Sequence, residues 1–275
     1  MTIHVKPISS AIGAVIEGVD LAQPLDNETF NTLYDAFNRH SVLLLRNQSM
    51  SPEQHVAFSR RFGELEQHVL KSDLLPGLPE VYVLSNKGFG RAKAGWFWHT
   101  DLSYQKIPSK ASFLHGLEIP SMGGDTMFAS TAAAYDALSD KMKAFLDTLT
   151  AEHDFRQGYE KYSKRWAAPI PEEAFKARPP VIHPVVRTHP ETGRKSLYVN
   201  EGYTTRIMEL SHEESEALLN FLFRHSTRAE FVYRHHWSAR DLVMWDNRAT
   251  IHQALSDYNE PRYMHRTTIS GDIVE

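Results

Sequence analysis

Cysteine is absent from the 275-residue sequence. Its absence excludes disulfides, thiolate nucleophiles, zinc–thiolate sites and iron–sulfur clusters, and with them a secreted domain that depends on disulfides. Long hydrophobic runs are lacking as well, because the longest span about five residues and a membrane helix needs about 20. The amino-terminal residues lack the apolar stretch of a signal peptide, so we expect no secretion signal and no membrane association.

Charge of one sign is not in large excess either, since the net charge is −4. A nearly balanced chain is not typical of proteins that bind nucleic acid through its phosphates, so we expect no nucleic-acid partner. Histidine, in contrast, is abundant, with 15 residues. We interpret this number as a sign of metal or acid–base chemistry.

The chain is predicted to form one domain over residues 1–275, because no repeat, low-complexity segment or linker interrupts it. Four residues are placed to cap helices, each before apolar residues at helical spacing or within a capping box: Asp26, Ser51, Ser139 and Ser211. The helix after Ser51 is expected to end near Gly63. Residues 156–180 have no clear assignment, and a polar segment of that length is typical of a lid or binding loop.

The remaining apolar segments are short and rich in β-branched or aromatic residues, which is typical of strands. They cover residues 41–45, 81–84, 111–119, 181–188, 197–199, 231–237, 242–245 and 266–269. Many short strands with helices concentrated toward the front predict a mainly β fold with peripheral helices, either a sandwich or a barrel.

The sharpest local motif is Trp98-His99-Thr100-Asp101. On a strand, residues i and i+2 point to the same face, so His99 and Asp101 can reach one point in space. A second imidazole would complete the 2-His-1-carboxylate triad, which holds Fe(II) and leaves positions open for other ligands. The alternative interpretation of the motif is an ordinary surface pair on a strand.

His252 is the best candidate for the third ligand, because it follows an apolar strand and a turn late in the chain. Other histidines compete with it, and spacing alone cannot choose among them: His55, His68, His115, His153, His183, His189, His225, His235, His236 and His265. Most of these are expected at the surface or as buried polar groups with hydrogen-bond partners.

Two arginines near the end of the chain, Arg262 and Arg266, are four residues apart. On a strand they would face the same way and could clamp two anionic groups through paired N–H donors. A solvated basic edge of the sheet would show the same pattern, and from the pattern alone it is the favoured interpretation.

Taken together, these residues resemble the taurine dioxygenase family of Fe(II)- and 2-oxoglutarate-dependent oxygenases, which also contains the phenoxyacetate herbicide dioxygenases. Ordered blocks along nearly the whole chain carry the resemblance: Gly18–Leu21, Trp98–Asp101, Gly123–Thr126, His183–Pro190, Val199–Gly202, Trp245–Arg248 and Met264–Arg266. The resemblance implies a double-stranded β-helix, a cupin-like jelly roll with helices packed outside. It also implies a dioxygenase that couples substrate hydroxylation to the conversion of 2-oxoglutarate into succinate and CO2.

The resemblance further implies roles for individual residues. By this likeness His99, Asp101 and His252 match the iron ligands, and Thr126 and Arg262 match the residues that hold the distal carboxylate of 2-oxoglutarate. The positions that bind the sulfonate of taurine are matched by His68 and Arg266. Trp245 matches a tryptophan close to the metal.

Departures from the family pattern concern the substrate. Where taurine dioxygenase meets the substrate amine with Tyr, Asn and Ser, this chain has Lys71, Gly95 and Gly158. Aromatic residues, namely Tyr159, Tyr203, Trp96 and Phe97, lie at or near other substrate positions. The resemblance therefore implies a larger, more apolar anion without an amine, such as a sulfonate, a sulfate ester or an aryloxyalkanoate, and the two glycines are expected to make room for it.

Several alternatives stay open. Within the class they are taurine dioxygenase activity itself, desaturation or another oxidation, whereas halogenation is disfavoured because Asp101 keeps the carboxylate ligand. A non-catalytic binding protein and a zinc hydrolase are the alternatives from other classes, and the presence of Thr126 and Arg262 argues against both. Family analogy implies a homodimer or homotetramer, and the need for 2-oxoglutarate and reduced iron points to the cytoplasm.

Overall fold

Helix caps form where the sequence predicts them. The computed structural model describes residues 3–67, 73–86, 95–162 and 172–275. Asp26, Ser51, Ser139 and Ser211 each accept a hydrogen bond from a backbone N–H in the first turn of the helix that follows. Ser51 and Ser211 form complete capping boxes with Gln54 and Glu214. These local signals succeed because each cap satisfies N–H groups that a helix start leaves without a partner.

The helices of the described residues are α1 (Asn27–His40), α2 (Pro52–Arg60), α3 (Thr131–Asp136), α4 (Asp140–Leu146), α5 (Phe155–Tyr162), α6 (Glu172–Lys176) and α7 (His212–Ser226). The strands are β1 (His4–Pro7), β2 (Ala14–Glu17), β3 (Val42–Leu45), β4 (Leu74–Leu75), β5 (Leu78–Ser85), β6 (Ala111–Glu118), β7 (Thr126–Ser130), β8 (Thr150–His153), β9 (Val181–Pro184), β10 (Val186–Thr188), β11 (Lys195–Leu197), β12 (Thr204–Ile207), β13 (Val232–His235), β14 (Leu242–Asp246), β15 (Thr250–Ala254) and β16 (Tyr263–Ile269).

The strands form one large sheet and smaller ones. The large sheet has the order β1-β2-β3-β14-β6-β16-β5-β4, and a three-stranded sheet has the order β13-β7-β15. Late in the chain the path alternates between these two sheets, since β13 and β15 belong to the small one and β14 and β16 to the large one. This alternation of antiparallel strands between two sheets is the jelly roll that the sequence analysis predicts.

Strand β14 shows why the large sheet has continuous hydrophobic runs. Leu242 and Met244 pack into a cluster with α1 and α2 on one face, and Val243 and Trp245 pack into a cluster between the sheets on the other. A strand buried on both faces has no polar side to alternate with. The candidate site lies beside the inter-sheet cluster, because Trp245 and Phe128 of that cluster contact His252.

Several strand predictions are wrong in part, and one segment without an assignment proves to be partly helical. The predicted strand over 197–199 ends at Leu197, and the predicted strand over 231–237 begins as a 3-10 helix over Ala229–Phe231. Residues 156–180, left without an assignment, contain most of α5 and all of α6. Within the described residues, no helix is long and apolar enough to cross a membrane.

Candidate metal centre

His99 lies in an irregular segment rather than on the strand that the motif predicts. It forms a single bridge with His252 of β15, in which His99 N–H donates to His252 O (3.0 Å) and His252 N–H donates to His99 O (2.7 Å). Asp101 follows at the start of a turn. The strand assignment is therefore wrong, but the bridge brings His99 and Asp101 directly beside the third candidate ligand.

Three ligand atoms converge at this bridge. Asp101 Oδ1 lies 3.9 Å from His99 Nε2 and 4.0 Å from His252 Nε2. All three atoms lie within 4.8 Å of one another, and all three residues are buried. Among the residues that the structure describes, this is the one group of three or more His, Asp or Glu side chains placed to hold a metal ion.

The protonation of the three side chains suits a divalent metal. Burial lowers the pKa of His99, and it lowers the pKa of His252 to about 3, so both imidazoles are neutral. Nδ1 of His99 lies 2.8 Å from Phe97 O and donates to it, which leaves Nε2 free on the side of Asp101. Burial alone would raise the pKa of Asp101, but the Arg266 guanidinium and the hydrogen bond from Ser112 outweigh it and hold that pKa well below its ordinary value. Two neutral imidazoles and one carboxylate fit Fe(II).

Arg262 lies directly before β16, and its guanidinium is buried. Among the described residues, its Nε and Nη2 have no hydrogen-bond partner. Its Cζ lies 5.8 Å from the ring centres of both Trp237 and Tyr258, and burial lowers its pKa. Trp237 Nε1 donates to Thr126 Oγ1 over 3.0 Å, so Thr126 and Arg262 contact the same indole. Buried N–H donors of this kind, beside a hydroxyl, are what a carboxylate would satisfy.

Arg266, on β16, is aimed at the metal side of the site. Its Nη1 donates to Asp101 Oδ1 over 3.3 Å, and its Cζ lies 5.2 Å from the Tyr82 ring centre. The interpretation of Arg262 and Arg266 as a solvated basic edge is wrong, because both side chains are largely buried. Their shared strand face is wrong too, since Arg262 precedes β16 and the strand register shifts between Tyr263 and Met264.

The residues predicted to contact substrate fall into two groups. Tyr203 lies next to the ligands, with its ring centre 6.2 Å from that of His99. Trp96 and Tyr159 pack on other aromatic side chains: the Trp96 ring centre lies 5.8 Å from that of Phe97, and the Tyr159 ring centre lies 5.4 Å from that of Phe175. His68 and Lys71 lie outside the described residues, so their predicted roles stay predictions.

The expectation that two glycines make room for substrate is wrong at Gly158. A Cβ built there would lie 2.5 Å from Gly202 O and 2.6 Å from Cδ1 of Tyr203, so the Tyr203 ring already fills that space. Gly95 differs, because its Cβ would lie 3.2 Å from Cε1 and 3.7 Å from Nε2 of His99. Its φ of +73° also favours glycine, and the position borders the metal-facing edge of the His99 imidazole.

Sequence reasoning missed Trp237, Tyr258 and Ser112 as parts of the site. Trp237 follows β13 and joins Thr126 to Arg262, and Ser112 of β6 donates to Asp101 Oδ2 over 2.6 Å. No sequence motif marks them, because side-chain packing around Arg262 and the hydrogen bond to Asp101 place them at the site. Trp245, by contrast, lies where the resemblance implies, with its ring centre 4.8 Å from that of His252.

Comparisons with known proteins bear on this geometry. The family model described as taurine catabolism dioxygenase TauD, TfdA family, matches residues 4–268. The chain is 34% identical over 295 aligned positions, covering 100% of both proteins, to the alpha-ketoglutarate-dependent 2,4-dichlorophenoxyacetate dioxygenase of Cupriavidus pinatubonensis. It is also 34% identical to an alkylsulfatase of Acinetobacter baylyi, covering 98% of this chain and 86% of that protein.

A solved structure agrees with this result. The structure of a taurine dioxygenase from Burkholderia xenovorans superposes with a TM-score of 0.85 at 39% identity, covering 100% of this chain and 91% of that one. The similarity therefore extends over essentially the whole fold.

Proposed function

Since the chain belongs to the taurine catabolism dioxygenase TauD/TfdA family, we propose that it hydroxylates a small anionic organic substrate at a carbon next to a heteroatom. The protein is a 2-oxoglutarate-dependent dioxygenase that uses Fe(II), 2-oxoglutarate and O2. The reaction releases succinate and CO2. The single observation that carries the proposal is the convergence of two imidazoles and one carboxylate at the His99–His252 bridge.

In this proposal His99, Asp101 and His252 hold the iron. Their donor set fits Fe(II), their imidazoles are neutral, and Asp101 is ionised, so no proton has to be displaced before the metal binds. When bound, iron together with 2-oxoglutarate and O2 supplies the oxidising chemistry that cleaves the substrate C–H bond. The protein positions that bond and excludes water, since all three ligands are buried.

Thr126 and Arg262 hold the distal carboxylate of 2-oxoglutarate in this scheme. Two N–H groups of the buried guanidinium support this role, because they have no partner among the described residues and require an acceptor of opposite charge. The indole N–H of Trp237 donates to Thr126 Oγ1, so the hydroxyl proton of Thr126 is directed elsewhere and can itself be donated.

The substrate anion is assigned to Arg266 together with His68. Arg266 is the cation next to the ligands, and its Nη1 lies 3.3 Å from Asp101 Oδ1, so an anion bound to it would lie beside the metal. Tyr203 forms an apolar wall next to His99, and Trp96, Tyr159 and, as a further cation, Lys71 are also assigned to the substrate in this proposal. Relatives named for 2,4-dichlorophenoxyacetate and for alkyl sulfates support a sulfonate, sulfate ester or carboxylate as the anion.

Anaerobic titration of the metal-free protein with Fe(II) and 2-oxoglutarate tests the class assignment, with the visible charge-transfer band as the readout. Candidate anions are then added singly: 2,4-dichlorophenoxyacetate, an alkyl sulfate, an alkyl sulfonate and taurine. We expect one of the first three to shift the band and to yield stoichiometric succinate after air is admitted. Robust sulfite release from taurine would refute the proposed loss of taurine specificity, and no band with iron loaded would refute the site.

Two arginine variants test, in the same assay, whether Arg266 binds the substrate anion rather than 2-oxoglutarate. Arg266→Leu is expected to keep the band but to lose the shift caused by the substrate anion. The matched control is Arg60→Leu, which removes an exposed arginine that pairs with Glu80 on the surface. A substrate-induced shift of normal size in Arg266→Leu would contradict the assignment of the anion to that residue.

Further parts of the proposal concern organisation. We propose that residues 1–275 form a single domain, which the unbroken family match over residues 4–268 supports. We also propose a homodimer or homotetramer, by analogy with the family, in the cytoplasm, where 2-oxoglutarate and reduced iron are supplied. Sedimentation of the purified protein tests the assembly, and a monomer at micromolar concentration would contradict it.

A further inference from the structure

The two oxygens of the Asp101 carboxylate have different surroundings. Oδ1 faces His99 Nε2, His252 Nε2 and Arg266 Nη1, at 3.9, 4.0 and 3.3 Å. Oδ2 points away from the imidazoles and accepts a hydrogen bond from Ser112 Oγ over 2.6 Å. The carboxylate is therefore held with one oxygen toward the other ligands and the other oxygen anchored to β6.

The orientation of the Asn247 side chain determines which atom donates in the hydrogen bond between Ser112 and Asp101. Its Oδ1 lies 3.0 Å from Trp245 Nε1 and 3.3 Å from the backbone N–H of Asp101, which are both donors. The oxygen must face these donors, so the amide nitrogen Nδ2 faces Ser112 Oγ at 3.2 Å. Because Nδ2 can only donate, Ser112 Oγ accepts from Asn247 and its own proton goes to Asp101 Oδ2.

The buried amide of Asn247 thus connects Asp101 to the residues that pack against His252. Asn247 is 1% exposed and contacts the backbone of Asp101, the side chain that anchors Asp101, and Trp245. Trp245 in turn packs against His252, with ring centres 4.8 Å apart. A network of this kind, with its hydrogen bonds satisfied, holds a ligand in one rotamer before the metal arrives.

We infer that Asn247 and Ser112 are positioning residues that hold Asp101 to bind the metal through Oδ1 alone. Without them the carboxylate keeps its contact with Arg266 through Oδ1 but loses the anchor of Oδ2, and the metal has to order it at the expense of binding. The inference rests on the proposed assignment of Asp101 as a metal ligand. Neither residue touches the substrate or the reacting atoms in this proposal, so their effect is on metal affinity and not on the chemistry itself.

The test is anaerobic titration of the metal-free protein with Fe(II) alone, and in parallel with Co(II) alone, in Ser112→Ala. This change removes one oxygen atom from a buried strand residue and leaves the backbone pairing of β6 with β14 and β16 intact. We expect the Kd for either metal to rise about 10- to 100-fold. The matched control is Ser215→Ala, because Ser215 is equally buried but its hydroxyl accepts from the backbone N–H of Ile207. Its metal Kd should stay unchanged.

Asn247→Ala and the double variant test whether Asn247 and Ser112 hold Asp101 through the same chain of hydrogen bonds. We expect Asn247→Ala to weaken metal binding, and to do so by a smaller factor in the Ser112→Ala background, because the part that acts through Ser112 Oγ on Asp101 Oδ2 is already lost there while the contacts with the Asp101 backbone and Trp245 are not. The thermal midpoint of each metal-free variant is measured alongside, and Ser112→Ala decides the matter by itself if Asn247→Ala does not fold.

The outcomes separate this inference from the proposed function. A Kd in Ser112→Ala within twofold of the wild type would overturn the positioning role while the wild-type site stands. Full additivity in the double variant would overturn the shared route. Wild-type protein that binds neither metal would refute the metal site itself, and the inference with it.

Discussion

Replacement of Arg262 by methionine should separate cosubstrate binding from stability. In the cosubstrate-free protein, the Arg262 guanidinium is buried and its Nε and Nη2 have no partner among the described residues. Hydrogen bonds to charged groups contribute about 1.5–3 kcal/mol each, so two of them contribute about 3–6 kcal/mol to 2-oxoglutarate binding. Since about 1.4 kcal/mol is a factor of ten, Arg262→Met should weaken 2-oxoglutarate binding about 100- to 10,000-fold.

The same substitution should not destabilise the protein without 2-oxoglutarate. Replacing a buried charge by an apolar side chain of similar volume is often neutral or stabilising, by about 1–4 kcal/mol. The assay is thermal unfolding of the Fe(II)-loaded, anaerobic protein with and without 2-oxoglutarate. At 100 times Kd the wild type gains about 2.7 kcal/mol. That gain corresponds to an increase of about 5–10 °C in Tm. The variant should gain less than about 2 °C.

Arg187→Met is the matched control. Arg187 is also fully buried, and its Nε and Nη1 have no partner among the described residues, but it packs on Tyr198 and not on Trp237. Its substitution should change Tm only through the stability of the cosubstrate-free protein, so the shift caused by 2-oxoglutarate should equal that of the wild type. A full 2-oxoglutarate shift in Arg262→Met would refute the reasoning, as would a large fall in its Tm without the cosubstrate.

Three further predictions concern single side chains. Trp237→Phe keeps an aromatic ring beside Arg262 but removes the N–H that orients Thr126. The Kd for 2-oxoglutarate should therefore rise about 2- to 10-fold in the anaerobic titration. An unchanged Kd would contradict this role of Trp237. Burial and the neighbouring His183 lower the pKa of His153 to about 3. Above pH 6.5 His153 is neutral in both the folded and the unfolded chain, so the lowered pKa does not change the free energy of unfolding. Below pH 6.5 only the unfolded chain takes up the proton, which favours unfolding. Between pH 7 and 5 the wild type should therefore lose about 2 kcal/mol more free energy of unfolding than His153→Phe in urea titrations, and parallel losses would contradict the assignment. Gly158→Ser should lower Tm by the equivalent of about 1–3 kcal/mol, because its Cβ would collide with Tyr203, and an unchanged Tm would show that this ring is free to move.

Local signals predicted much of the fold. The caps at Ser51 and Ser211 and the buried run of β14 depend only on neighbouring residues or on burial of both faces of a sheet, so the sequence reveals them. Helix α5 could not be predicted in the same way. It contains Gly158, a poor helix former, and the absence of a side chain there is explained by the Tyr203 ring packed against it, which is a tertiary contact.

The candidate site could be predicted only in part from residue patterns. The spacing of His99 and Asp101 pointed to a metal, although these residues do not lie on the predicted strand. A single backbone bridge to His252, and not a pair of strands, brings the three side chains together. Spacing could not select His252 among the histidines, since competing residues such as His115 and His225 are equally buried and are distinguished only by their hydrogen bonds to Gln48 O and Ala134 O. The resemblance to known sequences supplied that choice.

The backbone pairing of His99 with His252 joins segments that the ribosome makes far apart in time. Asp101 and Asn247, on the same two segments, are 146 residues apart in sequence. While the chain is being made, His99 and Asp101 emerge as part of an irregular loop whose partner strand does not yet exist, and two ligands on an unsupported loop hold a metal weakly. With His99, Asp101 and His252 as the proposed iron ligands, we expect iron to bind only after the jelly roll has closed, so that an unfinished chain would not carry a redox-active ion.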